Sequence, residues 1–348
     1  MKKIKLSFIG AGLQSQIAHI INFYKDKRVE LFDVADFDLD LAKGIKKKFN
    51  FSGVATRSAD EIINRKPDGV VIVVQRPLVS NLVKQSLKAK LNVLSEKPHV
   101  FSLKEHNECE KYQNKIVWMK GYNRRWALAA IEFKKNFSKY KKKYGNLVSV
   151  EMFCDSGNSW LGNKHFVFPT LEKKFFSGKK NKYPNWIKSK NKILYENYWN
   201  GASHFMDLLE FFDFKKIRNF NSYINDKVFN TMFIANKSSQ NFLVNVTMSK
   251  FSHNGWNEYA TFNFERAKVT LRYNSPMQYG GSCSLEVSDS SDKKFFKTYK
   301  NNWHYEYQNQ NFISEIIKQK KGKLTNYLNG KTSISTYENI WKNFQKSK

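Results

Sequence analysis

A chain of 348 residues, 41% of them hydrophobic, is long enough for two domains with cores of their own. Its formal net charge of +30 favours contact with phosphate, but the lysines run along the whole chain and no helix-turn-helix, zinc finger or RNP-type strand accompanies them, which sets specific nucleic-acid recognition aside. Cys109, Cys154 and Cys283 lack CxxC spacing, the histidines form no ligand-spaced pair, and no apolar run nears the roughly 18–20 residues that cross a bilayer; a disulfide framework, a metal centre and a membrane span are therefore not expected, and a reducing cytoplasm is.

Taken in chain order, residues 4–9 (IKLSFI) predict a strand, Gly10 to Gln14 a turn, and Ser15 to Tyr24 a helix with Ile17, Ile20 and Ile21 on one face. The unit then repeats. A strand over Val29–Asp36 precedes a helix over Leu39–Phe49, and a short strand at Val54–Ala55 precedes a helix over Ala59–Arg65. The strand Gly69–Val74, the helix Val79–Ala89 and the strand Asn92–Ser95 follow. Strands alternating with helices, several of them apolar throughout, predict a doubly wound parallel sheet covered on both faces, occupying residues 1–121.

Beyond Gly121 the rhythm changes. Candidate strands at Leu147–Phe153, Asn219–Ile224, Thr231–Ala235, Phe242–Ser249, Tyr259–Phe264, Lys268–Tyr273 and Ser284–Ser288 are joined by short turns, and many alternate with period two. Helices near Ala127–Phe137, Gly201–Phe212, Gln308–Lys320 and Ile334–Phe344 would cover them. The expectation for residues 122–348 is an α+β domain built on a large, mostly antiparallel open sheet, interrupted by a long irregular excursion from Asn163 to Asn197.

The turn Gly10-Ala11-Gly12-Leu13-Gln14-Ser15 lies between a strand and a helix, and Asp36 closes the second strand. Glycines let the backbone approach a pyrophosphate, the helix N-terminus offers it N–H groups, and an acid at that distance accepts hydrogen bonds from ribose hydroxyls. Gly10, Gly12, Leu13, Gln14 and Asp36 are thus candidate cofactor contacts, with Ser15 in place of the third glycine of the pattern. A carboxylate would repel a 2′-phosphate, and Phe37 and Asp38 supply no clamp for one, so NAD is favoured over NADP. The tripeptide Glu96-Lys97-Pro98 follows an apolar strand and so falls at the carboxyl edge of the sheet, where open α/β sheets bind ligands. Glu96 and Lys97 join the candidates there, and Gln75, at the end of another strand, is placed near the nicotinamide. His99, His106 and His165 are read as structural or surface residues.

The GAG turn, the Asp36 strand end, the EKP tripeptide, the run Gly121-Tyr122-Asn123-Arg124-Arg125-Trp126 and the helix from Asn200 through His204 to Asp207 occur in this order. Together they resemble the Gfo/Idh/MocA (glucose-fructose oxidoreductase / inositol dehydrogenase) family across essentially the whole chain. The resemblance implies an NAD-dependent oxidoreductase acting on a sugar, with Lys97 and His204 in the catalytic group. Asn200, four residues from His204 and so on the same helix face, stands where many members carry Asp; it can orient a hydroxyl but cannot titrate. Asn123 and Arg124 are candidates for binding substrate, an inter-domain salt bridge being the competing reading of Arg124, and Asp207 is read as structural. The basic composition and the long excursion lean toward a nucleotide sugar or phosphorylated sugar of surface-polysaccharide synthesis. The family also implies association as dimers or tetramers through the open sheet face. Two other readings stay open, a catalytically silent NAD-binding regulator and an enzyme that returns its hydride within one cycle.

Overall fold

The computed structural model describes residues 2–113, 115–155, 183–249, 255–276, 278, 280–291, 293–321 and 330–347. The chain divides into two compact units, one drawn from Met1–Tyr122, Val167–Pro184 and Tyr305–Asn329, the other from Asn123–Phe166, Asn185–His304 and Gly330–Lys348. Most of the expected excursion, and His165 within it, lie outside the described residues.

The first unit holds a six-stranded parallel sheet of β1 (Ile4–Ile9), β2 (Val29–Ala35), β3 (Ala55–Thr56), β4 (Gly69–Ile72), β5 (Asn92–Ser95) and β6 (Trp118–Lys120), in the order β3-β2-β1-β4-β5-β6. Every residue of β4, β5 and β6 is buried, as in a parallel sheet covered on both faces. The order reverses between β1 and β4, and at such a switch point the loops leaving the two strands diverge and open a crevice. Local chemistry fixes the helices. Asp38 accepts from Leu41 N at 3.2 Å to start α2 (Leu39–Phe49), and Ser58 accepts from Glu61 N at 3.1 Å to start α3 (Ala59–Asn64). Arg76–Lys88 forms α4, and Ser102 caps α5 (Leu103–Glu110) through Glu105 N at 3.1 Å. The helix after β1 opens with a π-helical stretch, Ser15–Ile20, that runs into α1 (Ile21–Lys25).

The second unit carries α6 (Leu128–Tyr144) and α7 (Lys192–Phe211) on an eight-stranded sheet. Its strands are β7 (Leu147–Asp155), β8 (Lys215–Ile224), β9 (Val228–Lys237), β10 (Gln240–Ser249), β11 (Asn257–Phe264), β12 (Ala267–Tyr273), β13 (Cys283–Asp289) and β14 (Lys294–Tyr299), ordered β14-β13-β12-β11-β7-β10-β9-β8. Neighbouring strands are antiparallel except β7 and β10, which run parallel. One face is packed by aromatic side chains: Phe133 of α6 meets Phe262 of β11 with ring centroids 4.1 Å apart. α9 (Lys331–Lys346) closes the same unit by stacking Tyr337 on Trp199 of α7 at 4.4 Å. Helix α7 begins nine residues before the expected Gly201, so Lys192–Asn197 belong to it rather than to the excursion.

Between these two helices in sequence, α8 (His304–Lys320) returns to the first unit from Tyr305 onward. Phe312 packs edge-on against Phe23, Arg28 Nη1 donates to Ser314 Oγ at 3.0 Å, and a side chain at Gly69 would meet Ile316 at 3.1 Å.

Candidate functional site

The glycine turn sits on the crevice between β1 and β4. Gly10 has φ +99°, a backbone region that L side chains rarely adopt, and a Cβ there would lie 2.0 Å from Val73 O. Asp36 is buried at the end of β2 and accepts from Ala11 N at 2.8 Å and from Asp38 N at 3.1 Å. The acid thereby ties the glycine turn to the second strand, and an apolar cavity of about 200 Å³ opens beside it, walled by Phe37, Val74, Leu78 and Leu82. Ser15 Oγ, buried at the start of the π-helical stretch, has no partner among the described residues. A flat apolar cavity next to a carboxylate, with the start of a helix close by, fits the adenosine and phosphate parts of a dinucleotide.

The remaining candidates of the first unit divide by what they touch. Gln75 lines the cavity beside Asp36. Leu13 is exposed, and Gln14 donates from Nε2 to Tyr305 Oη at 2.7 Å. Glu96 is buried with both oxygens engaged: Oε1 meets His19 Nε2 at 2.8 Å, and Oε2 accepts from Lys97 N at 3.1 Å. His19 in turn contacts Asn309 Oδ1 through Nδ1 at 3.1 Å. The expected cofactor contact at Glu96 is therefore a carboxylate held inside its own unit, fastening the backbone at Lys97 to the first helix and to α8. Lys97 is half-buried and joined to Pro98 by a cis peptide bond.

Behind that loop lies a buried polar cluster. His99 Nε2 is 3.3 Å from His106 Nδ1, Tyr122 Oη is 3.4 Å from His99 Nδ1, and His106 stacks on Trp118. Burial, then the neighbouring His106 and Lys120, hold His99 well below the usual imidazole range, so it is neutral.

In the second unit, α7 presents Asn200 and His204 four residues apart, Asn200 exposed and His204 6% exposed. Asp207, one turn on, is buried in an ion pair with Arg125, whose Nε donates to Oδ2 at 2.8 Å and whose Nη2 also bonds Oδ1. That pair fixes the turn Asn123–Trp126 to α7 and so sets the position of His204 along it. Arg124 does not stand ready for a substrate. Its Nε donates to both oxygens of Glu258 at 2.8 and 3.1 Å, its Nη2 to Oε2 at 2.7 Å, and its Nη1 to Asn123 Oδ1 at 2.8 Å, all buried. The salt bridge of Arg124 to Glu258 lies within the second unit, not between domains as the competing reading had it. Asn123 is fully buried, and its Nδ2 has no partner among the described residues.

Among the described residues no group of three or more His, Cys, Asp or Glu could hold a metal ion, and no helix is long and apolar enough to cross a membrane. All three cysteines are free and buried, and burial pushes the Cys109 thiol up to about 12.

Residues 4–120 match the model of an oxidoreductase family with an NAD-binding Rossmann fold, Gfo/Idh/MocA. No curated protein matches the sequence. Solved structures share the fold over nearly the whole chain. A Gfo/Idh/MocA family oxidoreductase from Vibrio cholerae is 12% identical over 99% of each chain, with a TM-score of 0.69. Levoglucosan dehydrogenase in complex with NADH is 14% identical over 99% of this chain and 98% of its own, with a TM-score of 0.73. A 3-ketoreductase from Actinomadura kijaniata, in complex with TDP-benzene and NADP, is 10% identical over 97% of each chain, with a TM-score of 0.72. At such identities the structures speak for the fold alone. The family match takes in the glycine turn, Asp36 and the EKP strand, and makes residues 4–120 similar to the NAD-binding Rossmann domain of the Gfo/Idh/MocA oxidoreductases.

Proposed function

We propose that the protein is an NAD-dependent dehydrogenase acting on a secondary alcohol of a sugar, of the nucleotide-sugar or phosphorylated class. Residues 1–121 take the cofactor and 122–348 the substrate. The observation that carries the reading is the Asp36 carboxylate drawing Ala11 N and Asp38 N to the edge of an apolar cavity, where it can also accept from a ribose. The sugar class draws support from relatives of the same fold, one of them a levoglucosan dehydrogenase and one holding a TDP compound. We place the protein in the cytoplasm, in surface-polysaccharide synthesis, as a homo-oligomer joined through the open sheet face.

A dinucleotide held at Gly10, Gly12 and Asp36 would supply the nicotinamide as hydride acceptor or donor for the carbinol carbon. The chain's own residues handle the proton and the charge. His204 takes the hydroxyl proton at an imidazole nitrogen as the general base. Lys97 holds its ammonium at the alcohol oxygen and stabilises the negative charge that grows there, and Asn200 orients the hydroxyl.

The test begins with thermal-shift titration against NAD, NADH, NADP and NADPH, then a panel of nucleotide sugars and sugar phosphates at saturating cofactor. Stabilisation by NAD(H) that deepens with one sugar identifies the substrate class, and turnover with that sugar should fall by about 100-fold or more in Lys97→Ala and in His204→Ala. Near-normal turnover in both would remove the catalytic assignment. NAD(H) binding without turnover of any sugar would favour the silent regulator.

A further inference from the structure

The parallel register that pairs Ala35 with Thr56 sends the next residue of each strand, Asp36 and Arg57, out of the carboxyl edge of the sheet side by side. Asp36 N donates to Thr56 O at 3.1 Å, and Thr56 Oγ1 accepts from Ser58 N at 3.1 Å, so the backbone on both sides of Arg57 is held. Its side chain is not: Arg57 is exposed, lines the same cavity as Asp36, and makes no hydrogen bond or ion pair with any described residue. Arg28, Arg65, Arg124 and Arg125 each reach a carboxylate. A guanidinium that stays unpaired beside a ligand cavity, one residue past a strand end, is a fork directed at an anion the protein itself does not provide.

Resting on the assignment of this cavity to the adenosine end of the cofactor, we infer that Arg57 determines cofactor specificity by binding the adenosine 2′-phosphate. The pocket therefore takes NADP(H) as well as NAD(H). Asp36 serves the ribose hydroxyls of the one, and Arg57 the phosphate of the other. Asp36 is buried and held by the N–H groups of Ala11 and Asp38, and a bidentate contact from the exposed Arg57 guanidinium outweighs its repulsion of that phosphate. The cation missing from Phe37 and Asp38 is supplied from the neighbouring strand.

The test is direct titration of the full chain with NADH and with NADPH, followed by nicotinamide fluorescence, for the parent protein and Arg57→Gln at low and high salt. We expect the substitution to weaken NADPH by about tenfold or more, to change NADH by less than about twofold, and to flatten the salt dependence of NADPH binding. ADP-ribose 2′-phosphate should displace NADH from the parent protein and do so far less well from Arg57→Gln. Equal weakening of both cofactors, no change in either, or a parent protein that binds NADH but not NADPH would each overturn the inference while leaving the dehydrogenase reading intact. A parent protein that binds neither would overturn both.

Discussion

The carboxylate at the glycine turn and those at the Asn123–Trp126 turn are satisfied in different ways. In the first unit, Asp36 accepts from the backbone N–H groups of Ala11 and Asp38. In the second, Glu258 and Asp207 are closed off by the guanidinium groups of Arg124 and Arg125. A backbone donor points where the chain path sends it, so a carboxylate held that way fixes a turn and can keep lone pairs for a ligand. A buried guanidinium engages the whole carboxylate and leaves a sealed clamp. The first arrangement suits a cradle, the second a scaffold.

The hardest test of this contrast is removal of Arg124. Leaving Glu258 charged and unpaired in the core should cost about 3–5 kcal/mol, read as a drop in the urea midpoint, and an Arg124→Met, Glu258→Leu double variant should recover much of it. A small loss in the single variant would show that the clamp is not what holds the turn. A pH series asks about burial in both units. His99 in the first unit sits well below its usual range, and burial followed by the charge of Arg124 pushes His304 in the second down to about 3. With folded-state values lowered, the unfolded chain binds the extra protons, so stability is full above about pH 6.5 and falls as pH drops below it. Each histidine contributes at most about 1.4 kcal/mol per pH unit, and the melting temperature should fall between pH 7 and pH 5. A melting temperature that holds constant would mean that these rings are hydrated. The smallest effect belongs to a single backbone cap: Ser102→Ala should cost about 1 kcal/mol, with NAD(H) affinity unchanged, because α5 does not line the cavity.

The same contrast explains what could be read from the sequence. Asp36 lies 25 residues from its Ala11 donor and one strand and helix away, a distance the repeating βα pattern makes readable. Arg124 and Glu258 are 134 residues apart, and Arg125 and Asp207 82, and no pattern within the chain joins them. Strand β14, Lys-Phe-Phe-Lys-Thr-Tyr, went unread because it is an edge strand with Phe295 and Phe296 both exposed and no alternation to detect. The start of α7 was lost among Asn, Lys and Tyr, whose pairing with α9 supplies the burial that weak local preference does not. Arg57 lies two residues past the expected strand Val54–Ala55, but it is 21 residues from Asp36 and only the pairing of β2 with β3 brings the two strand ends together.

The return of α8 to the first unit also governs the order in which that unit can be completed. By residue 122 the ribosome has delivered all six strands, yet Phe23, Arg28 and His19 still await partners nearly 300 residues downstream. Until the stretch after Tyr305 emerges, one flank of the nucleotide-binding sheet is bare and the His19 and Glu96 pair behind Lys97 lacks Asn309. A chain cut short of Tyr305 would thus lack these partners, and the loop at Lys97 is fully braced only after α8 has been made.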